Sequence, residues 1–192
     1  MGEMKSAFEK ALEKADKIGK LSPEEMRERE EAEYSPIGRA IAERFLGHGY
    51  KQILKEEVER YRGDENGIVV RAALSRLVET INLSSADLIE RSLDGLLTLK
   101  GNGRIGGTID GIRILFAEFQ NEREQEYERE KENIEKSERE LLHQLRITGS
   151  AVGTINPTAG ESLSLVYEKL TSRFNERLEA LKQELQNFLD ER

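Results

Sequence analysis

Apolar residues recur at spacings of three and four along most of the chain, the period of helices that bury one face, and strict alternation is nowhere sustained. Met4, Phe8, Leu12, Ala15 and Ile18 predict a first helix from about Lys5 to Ile18, stopped by Gly19. Ser22-Pro23-Glu24-Glu25 predicts the next start, with Ser22 as N-cap, Pro23 at the first helical position and Glu25 closing a capping box. Ser35-Pro36 has the same form, so a fresh helix is expected there, carrying Ile37, Ile41, Phe45 and Leu46 and ended by Gly47-His48-Gly49. Tyr50, Ile53, Leu54, Val58 and Tyr61 outline another helix, closed by Gly63 and a turn at Asp64-Glu65-Asn66-Gly67. From Ile68 to Ile81 the apolar positions cover more than one face, which predicts the most buried helix of the set. Ser84-Ser85-Ala86-Asp87 then caps a helix whose Leu88, Ile89, Leu93, Leu96 and Leu97 add to the core.

The pattern changes after that point. From about Thr108 to Ile147 there is no Pro, and no Gly after Gly111, which leaves room for a helix of ~40 residues, or ~60 Å at 1.5 Å per residue. Between Glu118 and Glu140 stand ten acidic and five basic residues, so only a thin stripe of Phe119, Tyr127, Ile134, Leu141 and Leu145 can be buried. The final stretch has a stronger seam: Leu163, Tyr167, Leu170, Phe174, Leu178, Leu181, Leu185 and Leu189. Folding the chain back at Thr154 sets Leu145 against Leu163, Leu141 against Tyr167, Ile134 against Phe174, Tyr127 against Leu181 and Phe119 against Leu189. In that register Leu170, Leu178 and Leu185 face Glu138, Glu130 and Arg123, leaving apolar area for a second subunit, so a homodimer is expected. The fold class expected is all-α: a helical body of about five to six helices over 1–104, and a long antiparallel coiled-coil hairpin over 105–192.

The connection between the long helices, Ile147 to Gly160, has fourteen residues and no charge, in a chain that is 35% charged. About two to eight residues suffice for such a connection, so the surplus marks the loop over 147–160 as a candidate recognition tip. Its partner-binding candidates are Val152, Ile155 and Asn156, with Gly149 and Gly153 permitting close backbone approach. The plainer alternative is a loop that packs on itself and covers the end of the hairpin.

Lys100-Gly-Asn-Gly-Arg-Ile-Gly-Gly107 contains Gly-x-Gly-x-x-Gly, the spacing of a dinucleotide fingerprint. That fingerprint works between a buried strand and a helix, whereas the residues before this one, Ser92 to Lys100, read as the end of a helix. A bend between helices is therefore expected. Lys100, Arg104, Gly106 and Gly107 nevertheless surround a helix N-terminus, where backbone N–H groups attract anions, and they form a candidate anion-binding site.

Composition narrows the chemistry. The formal net charge of −8 opposes non-specific binding to nucleic acid or to an anionic membrane surface. Cysteine is absent, which excludes disulfides, thiolate metal sites and a Cys nucleophile. His48 and His143 are the only imidazoles, and Glu140-x-x-His143 is half of a paired motif that carboxylate-bridged di-iron bundles need twice, so neither a catalytic set nor a metal or cofactor site is expected. No segment approaches the ~20 apolar residues of a membrane span, and the charged N-terminal stretch lacks the apolar run of a signal peptide, so a cytoplasmic protein is expected. Many Glu, Lys and Arg without Cys also fit a thermophilic source.

These readings converge on a non-enzymatic interaction module that docks a protein partner through the hairpin's tip or flank. One alternative is a regulator that inserts its hairpin into a polymerase channel, an architecture that resembles bacterial transcript-cleavage factors. Those factors place acidic residues at the tip, and here none precedes Glu161 within the loop. The other alternative is a phosphate-containing ligand at the bend over Gly101 to Thr108.

Overall fold

A computed structural model of the protein describes residues 22–144 and 159–190, and the chain is all-α. Among the described residues there are six helices and no strand: α1 Pro23–His48, α2 Lys51–Val58, α3 Gly63–Thr80, α4 Ala86–Lys100, α5 Gly106–Gln144 and α6 Ala159–Asp190. The helix expected over Lys5 to Ile18 lies outside the described residues.

The first turn of α1 is fixed by its capping box. The Glu25 N–H donates to Ser22 Oγ at 3.1 Å, and the Ser22 N–H donates to Glu25 Oε2 at 2.7 Å. The Ser22 backbone N–H, followed by its hydroxyl, holds the Glu25 carboxyl below the ordinary carboxylate range. The fresh start expected at Ser35-Pro36 does not occur, because α1 runs straight through Pro36. Proline removes one helical hydrogen bond, but Ala32 and Pro36 are exposed, so the carbonyl left unbonded can be hydrated. Contacts on both sides of the proline hold the helix to α3. Tyr34 Oη donates to Glu65 at 2.9 Å, and Arg39 reaches Glu79 at 2.6 Å. Gly38 sits at the closest approach of the two helices, where a Cβ would collide with the Val69 carbonyl and the Ala72 side chain.

Gly49, at φ 75°, ends α1, and Arg91 from α4 donates to the terminal carbonyls of Leu46 and Gly47 at 2.8 and 3.1 Å. The turn expected at Asp64-Glu65-Asn66-Gly67 is instead the first turn of α3, which begins at Gly63. Two effects favour helix there. Asp64 and Glu65 meet the positive end of the helix dipole, and Asn66 Nδ2 donates to the Val58 carbonyl at 2.8 Å, closing the end of α2.

As its pattern predicts, α3 is central. It packs on α1, α2, α4 and α6, and buries Val69, Ala72, Ala73, Leu74, Leu77 and Val78. Gly95 of α4 lets that helix settle against Phe45 and Leu77.

The C-terminal helices form the antiparallel pair, in a different register from the expected one. Phe119 meets Phe174 edge to face at 5.4 Å, Glu118 pairs with Arg177 at 2.8 Å, and Glu122 pairs with Arg173. Facing positions therefore total about 294 rather than about 308, an offset of about 14 residues or two heptads. Two heptads turn each helix back to the same face, so the buried stripe is unchanged while the partners slide by about 21 Å. The observed register pairs the two largest seam aromatics and lays the end of α6 along the apolar start of α5 and against α3. Gln186 reaches Ser75 there, and Ile105, Ile109, Ile112 and Leu115 are buried beside Leu178, Leu185 and Leu189. The leucines that called for a second subunit, Leu170, Leu178 and Leu185, are thus buried within the chain. One continuous hydrophobic core runs from Ile41 of α1 to Leu189 of α6.

Candidate functional site

The buried seam between α5 and α6 stops at Phe119 and Leu170. Beyond it, no described side chain from Gln120 to Gln144 or from Ser164 to Lys169 is buried. The same stripe of α5 continues outward as Glu122, Glu126, Glu130 and Ile134, all half-buried, so its inward face turns from apolar to acidic. Tyr127 is 44% exposed and Leu165 59%.

A clamp marks the transition. The Arg173 and Arg177 guanidinium groups lie over the Phe174 ring at 5.1 and 5.3 Å and reach across to Glu122 and Glu118. Basic residues flanking an aromatic are the sequence pattern of a nucleic-acid contact. Here both cations are engaged in holding α6 to α5.

On one side of this junction lies an open cleft of about 690 Å³. It is lined by Phe119, Glu124 and Tyr127 of α5, Tyr167 and Thr171 of α6, and Leu83 and Ser84 from the turn before α4. Arg123, also in the lining, sits over the Phe119 ring at 5.9 Å. Nothing in the periodicity points to this cleft, because it exists only once the two-heptad slide brings Tyr167 opposite Tyr127.

The Gly-rich bend joins α4 to α5. Gly101, at φ 76°, caps α4 through its N–H to the Leu97 carbonyl at 2.9 Å, and the buried Ile105 precedes the first turn of α5. A helix, not a strand, leads into the motif, so the βαβ setting of a dinucleotide site is missing. Lys100, Arg104 and Gly107 are exposed around the helix start, while the Asn102 side chain fills the space against Gly106. Arg113, about two turns into α5, is engaged elsewhere. Its hydrogen bonds to Glu90 raise its pKa above the ordinary value, and it also pairs with Asp110.

The tip candidates Gly149, Val152, Gly153, Ile155 and Asn156 lie outside the described residues. His48 has a local role: its Nδ1 accepts from the Tyr50 N–H at 2.9 Å and its ring stacks on Tyr50 at 5.1 Å. His143 is exposed near the far end of α5. The carboxylates along the arm are largely matched within the helix, Glu126 with Arg129, Glu128 with Lys131 and Glu135 with Arg139. Among the described residues no helix is long and apolar enough to cross a membrane.

A family model described as a family of unknown function, DUF6657, matches residues 55–187, from within α2 to near the end of α6. No curated protein and no solved structure matches the chain.

Proposed function

The chain belongs to the DUF6657 family, a family of unknown function, and we propose that it is a non-enzymatic interaction module whose hairpin docks a protein partner. The observation that carries this reading is the arm itself. Past Phe119, α5 continues from Gln120 to Gln144 with no buried side chain among those described, so these turns add nothing to the core. Local ion pairs and high charge keep such a rod soluble and stiff at little gain in stability, since exposed pairs contribute about 0–1 kcal/mol each. A long projection of this kind makes sense as a carrier for what it presents, namely its flank and the uncharged segment over 147–158, the loop expected over 147–160 being cut short where α6 begins at Ala159. The leucines that would have asked for a second copy are covered in-chain, so docking is assigned to the single chain.

The test replaces residues 149–159 with a short Gly-Ser turn. The expected result is an unchanged helical signal and melting temperature together with loss of partner capture from lysate. Capture that survives the replacement removes the tip from the account.

A further inference from the structure

We infer that the cleft at the root of the hairpin binds an uncharged saccharide, with a sugar ring seated between Tyr127 and Tyr167 and its hydroxyls met by Ser84, Gln120, Asn121 and Thr171. This goes beyond the docking of a protein partner and does not rest on it. A gap in the seam carries the inference. Phe119 and Phe174 close the root edge to face at 5.4 Å. About two turns outward, Tyr127 and Tyr167 hold facing positions in the same register and line the cleft together, yet neither ring touches another ring. Tyr127 is 44% exposed and Tyr167 half-buried, so both are reachable from solvent. At about 690 Å³ the cleft falls within the range of about 300–1,000 Å³ usual for small-molecule sites.

The polar lining fixes the chemistry of the occupant. Ser84, Gln120, Asn121 and Thr171 come from three separate stretches of chain, and among the described residues none of their side chains spends a hydrogen bond within the protein. The Tyr127 and Tyr167 hydroxyls are equally unspent. A second groove between the same two helices lacks this property, because Glu122 there pairs with Arg173 and Glu126 with Arg129. Carboxamides and hydroxyls each donate and accept, as sugar hydroxyls do, and the face of a tyrosine suits the C–H surface of a sugar ring. The charged lining is one cation and one anion, Arg123 and Glu124, so it selects for neither sign. A nucleotide would bring phosphate, for which only Arg123 is present, and that guanidinium already lies over Phe119.

The probes are maltotriose, cellotriose and diacetylchitobiose as neutral sugars, digalacturonate and a glucosamine dimer as charged ones, and adenine as a flat ring without hydroxyls. Each is titrated against the full chain by saturation-transfer NMR. At least one neutral sugar is expected to bind with a Kd of about 1 mM or tighter, its ring C–H protons the most strongly saturated, and its affinity unchanged between about 50 and 300 mM salt. Tyr127→Ala and Asn121→Ala should weaken it about tenfold and about threefold at an unchanged melting temperature. Tyr167→Ala should also cost about tenfold, whereas Tyr167→Phe, which keeps the ring, should cost no more than about threefold. Tyr50→Ala, which removes a tyrosine 64% exposed beside α2, should leave binding alone. Three outcomes would each overturn the assignment: no neutral sugar binding below about 10 mM, tighter binding of a charged sugar or of adenine, or equal weakening by Tyr127→Ala and Tyr50→Ala.

Discussion

The root and the outer arm of the hairpin are built from the same two helices, yet physically they are different objects. At the root, Ile109, Ile112, Leu115 and Phe119 of α5 interlock with Phe174, Leu178, Leu185 and Leu189 of α6, and α3 closes the other side. In the outer arm the corresponding stripe is Glu122, Glu126, Glu130 and Ile134, half-covered and held by ion pairs. Helix length in this pair follows from the absence of breakers, while stability follows from what the stripe is made of. The root anchors and the arm presents, so substitutions of similar size should differ several-fold in their cost to folding between the two.

The largest effect is expected at Phe174. It is 0% exposed and in contact with Phe119, so Phe174→Ala should cost about 3–5 kcal/mol by chemical denaturation. Leu185→Ala, also at 0% exposure but nearer the end of α6, should cost about 2–4 kcal/mol. An arm substitution breaks the pattern if it approaches these values. Ile134→Ala, half-buried on the arm, should cost no more than about 1 kcal/mol. Smallest of all, Arg173→Ala should cost about 0.2–1 kcal/mol, falling toward zero in high salt, because both it and Glu122 remain accessible to solvent. A loss at Arg173 above about 2 kcal/mol would place the ion-pair clamp, and not the aromatic contact, at the centre of the junction.

How much of this was legible in the sequence depends on distance along the chain. Local devices read through well: the Ser22–Glu25 capping box, a cap within Ser84-Ser85-Ala86-Asp87, a helix end within Gly47-His48-Gly49, the bend after Lys100, and the central burial of α3. Two local signals were overruled by neighbours. Pro36 stays inside α1 because contacts from Tyr34 and Arg39 bracket it, and Asp64-Glu65-Asn66-Gly67 becomes helix because its acids sit at a positive helix end while Asn66 serves α2. The hairpin was legible and its register was not, since periodicity is blind to a slide by whole heptads. The deciding contacts, Phe119 with Phe174 and Gln186 with Ser75, join residues far apart in sequence. The root core over Ile105 to Leu115 carried a helical spacing of its own that the charge of the following segment obscured. The cleft inherits that limit: the bend at Gly101 to Gly106 could be read in place, whereas the cleft requires three separate stretches of chain to be positioned first.

The register is the claim on which the root, the arm and the cleft all depend, and a chain without cysteine allows it to be measured by paired spin labels on introduced cysteines. Labels at Glu126→Cys and Lys169→Cys should show the strong dipolar coupling of facing positions on helices whose axes lie about 8–10 Å apart. Labels at Ile134→Cys and Asn175→Cys should lie beyond about 20 Å, because they are offset along the axis by about 15 residues at about 1.5 Å each. Strong coupling in the second pair with weak coupling in the first would contradict the account, moving the helices two heptads apart from where they are described and dissolving the cleft with them.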